Sequence, residues 1–119
     1  MRTLLISFLI SALALPAFAQ SRSDCRFVNE CFEGEACDAT DFELSVTSDP
    51  ENPQGLLVIT DSETLKGSGL RTGQTARVVF FGDSGMHVIS VQSDAQARYT
   101  VHLEGPLVIT YQGTCEVKN

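Results

Sequence analysis

Four runs decide the fold: Thr75–Phe81 (TARVVFF), Met86–Gln92 (MHVISVQ), Ala97–Leu103 (ARYTVHL) and Leu107–Gln112 (LVITYQ). They are rich in β-branched and aromatic residues and follow one another at intervals of about ten residues. Gly82-Asp83-Ser84-Gly85, Ser93-Asp94-Ala95-Gln96 and Glu104-Gly105-Pro106 separate them. Short β runs joined by tight polar turns predict an antiparallel meander, and several at this spacing point to a barrel or a sandwich. Alternation assigns faces. Tyr99, Val101 and Leu103 are expected inside, with Arg98, Thr100, His102 and Glu104 in water. Leu107, Ile109 and Tyr111 are expected to share the inner face of the last run.

Working upstream, Phe42, Leu44 and Val46 alternate with Glu43, Ser45 and Thr47, the pattern of a half-buried strand. Asp49-Pro50-Glu51-Asn52-Pro53 is a turn cluster. Leu56–Thr60 is a continuous apolar run, and Thr64–Lys66 reads as a short strand ending in a turn at Gly67-Ser68-Gly69. Outside the extreme N-terminus no stretch carries a helical period. Residues 42–119 are therefore expected to form an all-β domain of six or seven strands. Closure into a barrel or half-open barrel removes exposed edges, and a two-sheet sandwich is the alternative.

Residues 20–41 are polar, acidic and cysteine-bearing, without a sustained period, and are expected to be an irregular leading segment. Three of the four cysteines, Cys25, Cys31 and Cys37, lie here, and Cys115 lies near the other end. An even count in a small exported chain implies disulfides. Of the three connectivities, Cys31–Cys37 with Cys25–Cys115 is favoured: one closes a short loop around Gly34, the other ties the domain's ends together. In the chain-entropy treatment the long loop contributes about 4–5 kcal/mol and the short one about 2 kcal/mol. The C-x5-C-x5-C spacing lacks the close pairs of a zinc site.

Residues 1–19 have the parts of a cleavable secretory signal. Arg2 is followed by an apolar run from Leu4 to Leu15, the helix breaker Pro16 and the Ala17-Phe18-Ala19 triplet. The run is shorter than the ~20 residues that span a bilayer. Export to the periplasm or the extracellular space is expected.

Charge narrows the partners. Fifteen acidic residues face eight basic ones in the whole chain. Between Asp24 and Glu51 nine carboxylates stand against Arg26 alone, whereas the remaining six acids and six bases outside the leader balance. A segment of this sign repels nucleic acid and anionic membranes. It admits basic proteins or divalent cations, so Glu30, Glu33, Glu35, Asp38 and Asp41 form the candidate interaction face. Their hard oxygens suit calcium, but the D-x-D-x-D-G ligand pattern is absent. No metal or other cofactor is expected.

Gly82-Asp83-Ser84-Gly85 resembles the nucleophile stretch of trypsin-like proteases over four residues. That motif continues with glycine where this chain has Met86, and both histidines lie downstream of the serine. Turn residues between two strands account for it. His87 and His102 fall on different strands with no cysteine or carboxylate pair beside them, and both are expected at the surface or rim. No catalytic residue is assigned.

Two resemblances remain. Ala97–His102 and Gly105–Glu116 look like the ending of small exported alphaproteobacterial proteins of unknown function, which implies export and a β fold. Ser93–Tyr99 and Tyr111–Cys115 are loosely similar to the Ser-Gly-x-x-Tyr loop and Tyr-x-Cys stretch of bacterial c-type lysozyme inhibitors, small disulfide-linked barrels of the cell envelope. The Ser-Gly pair and the Tyr-to-Cys spacing differ, and no inhibitory residue is carried over. Together these features lead to the expectation of a non-enzymatic binding module that meets a basic protein through its acidic face. A small-ligand barrel, a lysozyme-inhibitor-like protein and, last, a small hydrolase are the alternatives.

Overall fold

In the computed structural model, which describes residues 22–105 and 107–118, alternating side chains build eight strands. They are β1 (Arg22–Phe32), β2 (Asp38–Asp49), β3 (Asn52–Ile59), β4 (Thr64–Thr72), β5 (Thr75–Gly82), β6 (Gly85–Val91), β7 (Gln96–Leu103) and β8 (Val108–Lys118). Each pairs antiparallel with the next, and β8 pairs back onto β1, so the meander is a closed barrel rather than a sandwich. The proposed leader, residues 1–19, lies outside the described residues.

Inward positions on neighbouring strands stand opposite one another. Phe27 faces Phe42, Val58 faces Leu65, Phe80 faces His87, and Tyr99 faces Tyr111. Phe27, Val58, Phe80 and Ile89 are completely or almost completely buried. The faces expected for β7 hold, with Tyr99 and Val101 buried and Arg98 and His102 exposed. On β8, Ile109 and Tyr111 pack against the core, but Leu107 does not: it precedes the strand and is exposed.

Two stretches differ from expectation. The supposedly irregular leading segment contains β1, which pairs along its length with both β2 and β8. Its period was hidden because a bulge at Val28 interrupts the alternation. Phe27 points inward, and after the register shift Glu30 takes the inner register beside Tyr111. Gly67-Ser68-Gly69 is likewise no turn but the middle of β4. Gly67 and Gly69 occupy inward positions, where a Cβ would stand 3.1 Å from the Val79 carbonyl oxygen and 3.0 Å from Leu56 Cδ1 respectively. Glycine in a strand marks such close approach.

Both favoured disulfides are present, Cys25–Cys115 and Cys31–Cys37. Cys25 and Cys115 are direct partners across the β1–β8 seam, so one bond locks the first strand to the last. The other closes the β1–β2 hairpin. Neither disulfide belongs to a reducing cytosol, and both indicate an oxidising compartment. Among the described residues no helix is long and apolar enough to cross a membrane.

Candidate functional site

An antiparallel meander sends alternate loops to opposite ends. The β1–β2, β3–β4, β5–β6 and β7–β8 loops gather at one end of the barrel, and the β2–β3, β4–β5 and β6–β7 loops at the other with the start of β1 and the end of β8. This parity decides the electrostatics. Glu30, Glu33, Glu35 and Asp38 come to the first end with the β1–β2 hairpin. Asp61 and Glu63, Asp83, and Glu104 reach the same end from the other three loops. Those loops and the strand residues flanking them contain no lysine or arginine. The remaining seven carboxylates are matched by the seven lysines and arginines of residues 22–118. The whole excess charge of the domain thus resides at one end.

None of these eight carboxylates joins an ion pair among the described residues, whereas carboxylates elsewhere do. Asp41, expected within the acidic face, sits on the barrel wall instead. There its Oδ1 accepts a hydrogen bond from Arg26 Nε at 3.0 Å. The face is therefore Glu30, Glu33, Glu35 and Asp38 without Asp41, enlarged by Asp61, Glu63, Asp83 and Glu104. Reading the sequence as one acidic segment before a neutral core missed those four. Counting loops by parity finds them once the number of strands is known.

Beneath the carboxylates the barrel is filled with rings. Tyr99 is their hub, with centroids 5.6 Å from Phe27, 5.8 Å from Phe42, 6.0 Å from Phe80, 5.7 Å from His87 and 5.2 Å from Tyr111. Such contacts add about 0.5–1.5 kcal/mol each beyond area burial. Burial pushes the Tyr99 and Tyr111 phenols up from their ordinary range, and each feels a carboxylate of the acidic end, Glu63 and Glu30 respectively. Both stay protonated.

His87 is buried, contrary to the rim position expected of it, while His102 is exposed as expected. The His87 ring fits because Gly82 lacks a side chain: a Cβ there would lie 3.2 Å from Nε2. Its Nδ1 is hydrogen-bonded to the Tyr99 hydroxyl, and its Nε2 lies 3.3 Å from Ser84 Oγ in the two-residue β5–β6 turn. Burial holds its pKa below the ordinary imidazole range, partly opposed by Glu63. Structure therefore brings Ser84 and His87 together, which the sequence reading did not. In a triad the imidazole's second nitrogen meets a carboxylate that stabilises the imidazolium. Here it meets a neutral phenol, which only orients the ring. Among the described residues no group of three His, Cys, Asp or Glu side chains is placed to hold a metal ion.

At the opposite end charges are paired or balanced. Asp24 is held below the usual carboxylate range, first by the Ser45 hydroxyl and then by Arg22. Inward residues are aliphatic rather than aromatic here, and the barrel opens into a cavity of about 360 Å³. The Ser93-Asp94-Ala95 turn, which carries the lysozyme-inhibitor resemblance, borders this end rather than the acidic one.

Fold and site define a class: a small, disulfide-stapled, eight-stranded barrel carrying an unpaired carboxylate face at one end. No family model, curated protein or solved structure matches the chain. Both resemblances noted above rest on their residues alone.

Proposed function

We propose that this is an exported, non-enzymatic binding module that docks a basic protein on the carboxylate end of its barrel. One observation carries the reading: eight carboxylates from four separate loops and the strand ends beside them share one end without a neutralising lysine or arginine. Gathering like charge destabilises a fold through self-repulsion. The same charge steers a cationic partner and fixes its orientation. The rigid floor of rings holds the loops in place, which limits the ordering lost on binding.

A lysozyme or another cationic secreted factor has the required chemistry. The loose similarity to c-type lysozyme inhibitors favours the former, although its Ser93-Asp94-Ala95 turn borders the other end. Capture of c-type lysozyme by the immobilised domain, at low and high salt, tests the proposal. Retention at low salt and release at high salt is expected. No retention of lysozyme or of any other basic protein under either condition removes it.

A further inference from the structure

The barrel interior is filled unequally. Its acidic half holds the rings around Tyr99, while the other half presents Val46, Ala76, Val78, Ile89 and Val91 inward, with the Cys25–Cys115 disulfide in the wall. Strand β4 fills little of that half, since beyond Leu65 its inward register reads Gly67, Gly69, Arg71, and Leu56 of β3 covers Gly69. An eight-stranded barrel is just wide enough to be filled by its own side chains or to hold one small ligand. This one is filled in one half and open in the other. The resulting cavity, about 360 Å³, lies within the range of small-molecule sites.

Its chemistry is specific. The floor is Ile89 and Val78, both buried, and the walls are aliphatic. Polar groups occur only towards the mouth. Gln74 and Ser93, from the β4–β5 and β6–β7 loops, are joined there by a hydrogen bond of 2.9 Å. Arg71 faces Ala76 across the strand pair and so stands in the inner register at the lip. Among the described residues it makes no ion pair, unlike Arg22, Arg26, Lys66 and Lys118. Aliphatic walls closed by one guanidinium select an apolar body with one anionic head. At about 30 Å³ per water-sized group, the space takes on the order of ten non-hydrogen atoms.

We infer that the neutral end of the barrel is a binding site for a small amphipathic carboxylate, its aliphatic part inside and its carboxylate on Arg71. The site lies at the opposite end from the protein-docking face and stands or falls separately from it.

Octanoate is the probe, with octanol and octylammonium as head-group controls, each titrated into the isotope-labelled protein and followed by amide NMR shifts. Octanoate is expected to saturate with a Kd on the order of 0.1–1 mM, moving Ala76, Val78, Ile89 and Val91 and leaving the acidic end unmoved. Octanol should bind several-fold more weakly than octanoate, and octylammonium more weakly still. Arg71→Gln should weaken octanoate several-fold without changing octanol. Ala76→Leu fills the space and should abolish binding with melting temperature held or raised; Val91→Phe serves if that variant does not fold. No saturable shifts from octanoate would overturn the assignment, as would shifts centred on the outer wall or undiminished binding to a folded, cavity-filled variant.

Discussion

Removing the seam disulfide, through Cys25→Ala with Cys115→Ala, tests how closure holds this fold together. The two residues are separated by 90 positions yet sit opposite each other on β1 and β8. Opening their bond frees nearly the whole domain in the unfolded state. Chain entropy assigns that loop about 4–5 kcal/mol, against about 2 kcal/mol for the loop of Cys31 and Cys37, whose separation is 6. Cys25 and Cys115 are also buried, so truncation removes sulfur from a packed wall and adds a packing loss to the entropic one. Alanine is chosen because a buried serine hydroxyl would need a partner. A domain of this size loses about 4–8 °C of melting temperature per kcal/mol. The seam variant should therefore melt ~20 °C or more below the parent, and the hairpin variant about 10 °C below. Far-UV circular dichroism in urea measures both, and tyrosine emission provides a second probe, since the chain has no tryptophan. Equal losses from the two removals, or a seam loss under about 1 kcal/mol, would refute the view that β1–β8 closure is the vulnerable joint.

Gly113→Ala attacks the same seam from the backbone side: a Cβ there would sit 1.9 Å from the Arg26 carbonyl oxygen. Strands β1 and β8 must separate to admit it, so a loss of about 3 kcal/mol or more is expected in urea melts. Stability should also depend on pH through His87. Its folded pKa lies below the unfolded value of 6.5, so below that value the unfolded chain binds a proton that the folded one resists. Stability is therefore level above about pH 6.5 and falls as pH drops below it. His87→Phe combined with Tyr99→Phe removes the titrating ring and its hydroxyl partner together, and should flatten this step in melts between about pH 5 and 7.

Legibility followed the periodicity. From Thr75 onward, strands with one buried face and two- to four-residue polar turns announce themselves, and the inner faces of β7 and, Leu107 apart, of β8 follow directly from alternation. β1 was hidden because the bulge at Val28 resets its period, and because Glu30 occupies an inward register near the barrel's mouth. Its loss left the number of strands at six or seven rather than eight, and so concealed which loops share an end. That is why the sequence located the β1–β2 carboxylates but treated Asp61, Glu63, Asp83 and Glu104 as part of a neutral remainder. Gly67 and Gly69 read as a turn because glycine also serves where strands crowd together. The cavity was not legible at all, since it depends on the summed volume of inward residues from eight strands. Burial of His87 depends likewise on a missing side chain at Gly82, on the neighbouring strand.

The claim that location of charge, and not its amount, makes the acidic end a docking surface has a direct test. One variant carries Glu33→Gln, Glu35→Gln, Asp61→Asn and Asp83→Asn at the acidic end; the other carries Asp24→Asn, Glu51→Gln, Asp94→Asn and Glu116→Gln elsewhere, with the same net charge. Affinity for c-type lysozyme is measured for both at about 10 mM and about 150 mM salt, where the screening length falls from about 30 Å to about 8 Å. The first variant should bind about tenfold or more weakly than the parent at low salt and lose most of its salt dependence, while the second stays within about threefold. Equal weakening of the two would show that net charge alone governs association and would contradict the account.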